Sequence, residues 1–397
     1  MQKKATLSVM FCILSFLLIT TINTNIIKPA KANIITVPDQ YPTIKDAVTA
    51  AEPGDTIFVK SGVYKEYGIT VNKPLIILGE DQKTTIIDGQ GQTPVFTISK
   101  ENVTISGFTL KNFGREVIGH GIVVNKSNAT ISNNIIRNGA TGIYLISSNY
   151  SSIFNNIIIQ CSSGIYVSEG SYNRIFRNTI MNNKVGIYFF STEFKDNIFY
   201  LNAFNNTNKQ LETLGLGPNF WDNGTVGNYW SDYEGIDTNK DGIGDSPYQI
   251  KDNSYDNKPL IIPPTAIPIL LNNELYFIAF QSNSTISRFH YNSTLKFFRF
   301  NTIGPAGSLG YCNLTISNEL FNTPYFILLG EDGTQKSPDA TGAINATHTW
   351  LYFTYYHTLP PLKVTVVPEF SSPMLLPLLL LTVLIAAFVA KIRKGIG

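Results

Sequence analysis

The chain has 397 residues, enough for two or three domains, with 15% charged and 12% aromatic residues. This balance, together with abundant Gly, Asn, Ile and Tyr, argues against a cytosolic α/β enzyme and for a β-rich extracellular protein. The formal charge of +2 comes from the two ends; what lies between residues 33 and 390 holds 23 basic against 28 acidic residues, a net −5 that speaks against a nucleic-acid partner.

Residues 1–32 read as a secretory signal: Lys3 and Lys4, an apolar run from Leu7 to Ile19, then Ala30-Lys31-Ala32 as a cleavage triplet. An uncleaved anchor is the alternative. Residues 41–55, YPTIKDAVTAAEPGD, predict a short amphipathic helix with Thr43 as N-cap, Asp46 three residues on and Pro53-Gly54 as its stop. Such a helix can cover the open sheet edge at the end of a solenoid. Short apolar strands follow: TIFVKSGVY, LIILGE, TIIDG and VFTI.

A repeat occupies the middle. Gly121, Gly142, Gly164 and Gly186 are spaced by 21, 22 and 22, and Asn134, Asn156, Asn178 and Asn202 by 22, 22 and 24. A second polar column runs Asn112, Asn138, Gln160, Asn182, Asn206. A period of this length, with β runs of a few residues and Asn/Gly corners, describes a parallel β-helix; the leucine-rich repeat frame is absent. About seven coils fit between Asp55 and Asn206, a column of roughly 35 Å at ~4.8 Å per coil. Ile143, Ile165 and Ile187 form one inward ladder, and Leu145, Val167 and Phe189 another. The corner Asn are expected both to take left-handed backbone and to hydrogen-bond their copies one coil away. Tyr144, Tyr166 and Tyr188 then point outward, either as a face for sugar rings or as ordinary cross-strand packing.

The opening ITVPDQYPTIKDAVTAAEPGDTIFVKSGVYKE resembles the N-terminal cap of the pectin-lyase-like superfamily of right-handed parallel β-helices. The GIYL…NN repeats, followed by GNYWSDY and DGIGDSPY, are similar to the NosD-type branch, over residues 34–262. The resemblance implies an all-β right-handed solenoid over 33–262 and a periplasmic, copper-linked accessory role. It also admits polysaccharide lyase or glycoside hydrolase activity, but those chemistries need converging acids. No Asp lies between Asp88 and Asp196, and Glu101, Glu116, Glu169 and Glu193 share no repeat column, so no catalytic residue is assigned. Copper prefers His, Met or Cys. His120, His290, His348 and His357, Met181, Cys161 and Cys312 form no spaced cluster; the two Cys read as small buried hydrophobes.

Within residues 228–248, Asp237, Asn239, Asp241, Ile243 and Asp245 follow the first two-thirds of a calcium loop, with Tyr248 where a bidentate Glu belongs. Two readings stand: a weak structural calcium site, or an ion-free Asp/Asn/Gly turn closing the end of the solenoid.

Residues 263–268 hold three prolines and read as a stiff linker, and about seven strands in the next 100 residues suggest a small β-sandwich over 263–366. That segment resembles a C-terminal domain attached to archaeal surface proteins. VPEF at 367–370 resembles a PEF-type sorting signal, whose partner would be an archaeosortase. Residues 371–390 carry no charge and are long enough to span a bilayer, with Lys391, Arg393 and Lys394 marking a cytoplasmic tail. Ten sequons begin at Asn102, Asn125, Asn128, Asn149, Asn205, Asn223, Asn283, Asn292, Asn313 and Asn345. The expectation is a secreted, membrane-tethered surface glycoprotein that binds carbohydrate or other cell-surface proteins or serves a structural role. A copper-accessory protein and a carbohydrate-active enzyme are the alternatives.

Overall fold

Strands mostly of three to five residues, broken by polar corners, cannot form a sheet from neighbours in sequence. They pair instead with their copies one coil away. The structure, a computed structural model, describes residues 32–115, 119–320 and 325–368. From Ile34 on, these residues fall in one compact unit.

Three parallel sheets build the solenoid: the first and third are ladders of eight strands, and the second is a ladder of seven with Phe194–Lys195 paired beside Ser163–Ser171. The first runs from Ile34–Val37 to Ile198–Tyr200, and the second from Ile69–Val71 to Lys209–Thr213. The third runs from Gly62–Tyr64 to Tyr229–Trp230. The repeat count falls one rung short because Ile34–Val37 and Tyr229–Trp230 carry no repeat signature, although both are ladder strands. The inward ladders are in register as expected: Ile143 beside Ile165 beside Ile187, and Leu145 beside Val167 beside Phe189, all buried. Each such side chain contributes roughly 1.5–3 kcal/mol of apolar burial.

Helix α1 (Ile44–Ala50) closes the first rung. Thr43 caps it by accepting from the Asp46 amide at 3.0 Å, and Glu66 takes the Ile44 and Lys45 amides at 2.9 and 3.0 Å. Ile44, Ala47 and Val48 face the core.

The corners divide their work between adjacent residues. Asn133, Asn155, Arg177 and Leu201 take the left-handed conformation, and the residue after each is a buried asparagine. That asparagine donates its main-chain and side-chain nitrogens to the Oδ1 of the next: Asn134 to Asn156 (3.0 and 3.1 Å), Asn156 to Asn178 (3.1 and 3.0 Å), Asn178 to Asn202 (both 3.0 Å). The expectation that one residue does both jobs holds for Asn155, which is left-handed and donates its Nδ2 to Asn133 Oδ1 at 3.4 Å; the buried ladder itself is carried by the following residue. The column Asn112, Asn138, Gln160, Asn182 is the left-handed set of a second corner. Asn206 does not belong to it: it stacks under buried Asn183, one residue along. A third ladder, Asn173, Asn197, Asn219, occupies the remaining corner.

Two antiparallel five-stranded sheets follow, ten strands between Ile267 and Pro368 rather than about seven. Phe280 on one meets Phe289 and Phe300 on the other edge to face, at 5.9 and 5.2 Å, so the sheets share one core. That core also takes in Ile159, Met181, Ala203 and Tyr229 from the third solenoid sheet. The segment over 263–268 therefore connects two bodies that pack on one another. Thr265 bonds Thr179 at 2.7 Å, and Asn205 donates to the Phe289 carbonyl at 3.2 Å. Among the described residues no helix is long and apolar enough to cross a membrane. The signal, Glu116, the end of VPEF and the predicted span all lie outside the described residues.

Candidate functional site

The densest chemistry in the sequence, GNYWSDY with DGIGDSPY, folds as the lid of the solenoid. Tyr229 and Trp230 are the last rung of the third sheet. The Trp230 ring lies between Phe204 and Tyr248, stacked at 4.5 and 4.6 Å. The Tyr248 hydroxyl donates to Asp232 at 3.1 Å, and that of Tyr233 to the Ser246 carbonyl at 2.7 Å. Beneath them Asp256, fully buried, ends the first asparagine ladder. Its Oδ2 accepts from the Asn228 amide, the Asn228 Nδ2 and the Trp230 indole at 2.7, 3.3 and 2.9 Å, and its Oδ1 from the Lys258 amide at 3.0 Å. Burial nonetheless outweighs these donors and pushes its carboxyl up to about 6. Gly227 is required here, since any Cβ would overlap the Asp256 carboxylate.

The acidic loop turns its oxygens onto its own backbone. Asp237 accepts from the amides of Lys240, Asp241 and Gly242 at 2.6, 3.3 and 2.9 Å. Asp241 accepts from the Ile243 amide at 2.8 Å and the Asn239 side chain at 3.0 Å, and Asp245 from the Thr238 amide at 2.9 Å. Ile243 bridges to Leu260, which bridges to Tyr229, so the loop is stapled under the last rung.

The tyrosines pair in register from coil to coil. His120, Tyr144, Tyr166 and Tyr188 follow one another at 4.9, 4.8 and 4.9 Å, and all three Tyr are half-buried. Tyr166 and Tyr188 stack face to face, so those ring faces are engaged by each other. Burial pushes the Tyr166 hydroxyl up to about 12. Of the sequons, Asn102, Asn125, Asn128, Asn149, Asn223 and Asn345 are exposed. Asn205 is held at the sandwich contact; the Asn283 side chain bridges Leu309 and Tyr311; Asn313 bonds Gln281; and Asn292 accepts from the Leu295 amide.

The copper donors are dispersed. Cys161, Cys312 and Met181 are buried in separate places, and burial pushes both thiols up to about 12. His357 holds Ser284 and Ser308 at 2.8 Å each, and His348 holds Ser317 and Thr347 at 3.2 and 2.9 Å. No three His, Cys, Asp or Glu among the described residues gather as a metal site, so this donor set does not fit a copper centre.

Sequence reasoning missed a cleft of about 670 Å³ where the sandwich leans on the third sheet. Lys83, Lys111 and Arg137 line its solenoid side; Tyr276, Phe277 and Glu319 line the sandwich side. Arg137 is 4% exposed and donates to the side-chain and main-chain oxygens of Asn273 at 2.7 and 3.2 Å. Burial holds its guanidinium below the usual arginine value. Lys111 pairs with Asp88 at 3.6 Å. One signal was available: Ile157-Ile158-Ile159 is apolar at three successive positions, as a strand covered on both faces should be.

The family model described as periplasmic copper-binding protein (NosD) matches residues 48–235. A probable ABC transporter binding protein NosD of Stutzerimonas stutzeri is 41% identical over 59 residues, 15% of this chain and 14% of that protein. Its counterpart in Pseudomonas aeruginosa is 39% identical over the same length. The match thus spans a small part of these relatives. Among solved structures, a carrot pectin methylesterase aligns with 46% of this chain and 82% of its own, at 11% identity and a TM-score of 0.24. The Geobacillus virus E2 ORF18 protein aligns with 85% of this chain and 79% of its own, at 13% identity and the same TM-score.

Proposed function

We propose that the protein is a binding scaffold of the cell envelope, exported and held at the membrane by its C-terminal segment, with carbohydrate or another surface component as its ligand. The observation that carries this reading is the cleft between solenoid and sandwich. It is concave, lined by aromatic and charged groups, and formed by two bodies locked together through a common core. The NosD-type repeats support an envelope location, and the relatives' designation as binding proteins agrees with a non-catalytic role. An archaeosortase acting on the segment from residue 367 on would replace the span by a lipid. The exposed sequons would carry glycans on the turns. Sedimentation of purified protein with isolated cell envelopes, before and after extraction of their polysaccharide, tests the reading. Retention lost on extraction supports a glycan ligand; no retention on intact envelopes sinks the binding role.

A copper-accessory role is the second reading, favoured by the family model alone. Copper titration of the purified chain decides it: no binding tighter than about micromolar removes it. Calcium in the loop at Asp237–Asp245 would be structural, since the loop sits under the last rung.

A further inference from the structure

The cleft is chemically lopsided. Its solenoid wall carries three cations, Lys83, Lys111 and Arg137. Lys111 is matched by Asp88, and the Lys83 ammonium lies 5.6 Å from the Phe277 ring centre. Arg137 differs. Among the described residues no carboxylate lies within ion-pair distance of it, although it is almost wholly buried. Its only side-chain partner there is the neutral amide of Asn273. Asp88 acts on Arg137 from beyond ion-pair distance and is itself paired with Lys111, and the planar fork of the buried guanidinium matches an oxyanion. The facing wall offers the Tyr276 and Phe277 rings and two carboxylates, Glu319 and Glu274, the latter accepting from the Tyr276 hydroxyl at 3.0 Å; rings and acceptors together suit a hydroxylated, partly apolar body.

Resting on the binding role proposed above, we infer that this cleft takes an acidic sugar: an oxyanion, carboxylate or phosphate, against Arg137 and Lys83, with the sugar ring toward Tyr276 and Phe277. The site lies on the third sheet, on the opposite side of the corner from the tyrosine column, and needs the sandwich for half its lining.

The test uses the full-length chain in mild detergent and three probes followed by calorimetry: a hyaluronan hexasaccharide, glucose 6-phosphate, and cellohexaose as the neutral control. One or both anionic probes should bind, with affinity falling as salt rises, and cellohexaose should bind at least tenfold more weakly, roughly the worth of one charge-assisted contact. Which anionic probe wins separates a carboxylate from a phosphate source. Arg137→Lys keeps the charge but loses the fork and should weaken binding about tenfold. Lys83→Gln at the mouth leaves the Arg137–Asn273 contact intact and should weaken it by about threefold. Equal binding of neutral and anionic probes overturns the anion site while leaving a carbohydrate-binding scaffold standing. Anion binding unchanged in both variants, or no binding of either anion by a chain that still sediments with envelopes, overturns the site alone.

Discussion

Asp256 stands where the ladder calls for an asparagine: its Oδ2 accepts from both nitrogens of Asn228, at 2.7 and 3.3 Å, as each Asn Oδ1 accepts from the rung before. The lid of the solenoid thus rests on a buried carboxyl group.

Because that group titrates near 6 in the folded chain and near 3.8 when unfolded, the folded state holds its proton more tightly. Its contribution is fully present below pH ~3.8 and is lost as pH rises through about 6. Asp256→Asn should be less stable than the parent at pH 4, because an amide N–H then faces the Lys258 amide. It should recover up to about 3 kcal/mol relative to the parent by pH 7. Urea midpoints for the pair at several pH values check this; parallel profiles would mean the carboxyl does not titrate in that range.

Asn155 and Asn156 differ in what they carry: left-handed backbone with one long bond to Asn133 at 3.4 Å, against the buried ladder. Asn156→Ala removes the acceptor for two Asn134 nitrogens and should cost about 3 kcal/mol or more. Asn155→Ala should cost about 1 kcal/mol, the strain of left-handed backbone, and Asn155→Gly less. Thermal denaturation of the three variants gives the ranking.

Gly227 and Gly224 form a second contrast. Alanine at 227 meets the Asp256 carboxylate and should unseat the lid, a loss of about 3 kcal/mol or more. Alanine at 224 meets nothing within 4 Å and carries only the strain of its positive φ, about 1 kcal/mol. Exposure of the lid tryptophans should appear as a red shift in fluorescence for the first variant only.

Asp241→Ala removes acceptors for the Ile243 amide and the Asn239 side chain. Its melting temperature should fall equally in calcium and in chelator, because those partners are the loop's own groups. A loss seen only with calcium would place an ion in the loop.

The solenoid was legible because its 22-residue period repeats both the Ile ladders and the Asn134 column. Helix α1 was legible because Thr43 and Asp46 satisfy a local rule. What escaped depends on partners distant in sequence. Trp230 was visible only as one letter of the GNYWSDY motif, and its role appears when Phe204, Tyr248 and Asp256 surround it. The left-handed positions include Arg177 and Leu201, which no propensity would select, so one column blurred into the next. Nothing near Arg137 in sequence marks it, because its partner Asn273 lies 136 residues away.

The asparagine relay has a direction. Every link passes hydrogens toward the C-terminal end, and the carboxylate at 256 receives them with nothing to hand on. A coil copied within 135–201 would find a donor above and an acceptor below it in the ladder. Beyond Asp256 the same copy would meet an acceptor facing an acceptor. The hydrogen bonds of the ladder would therefore accept an added coil, which one side chain stops at the end and the sandwich, seated on Ile159, Met181 and Ala203, resists in the interior.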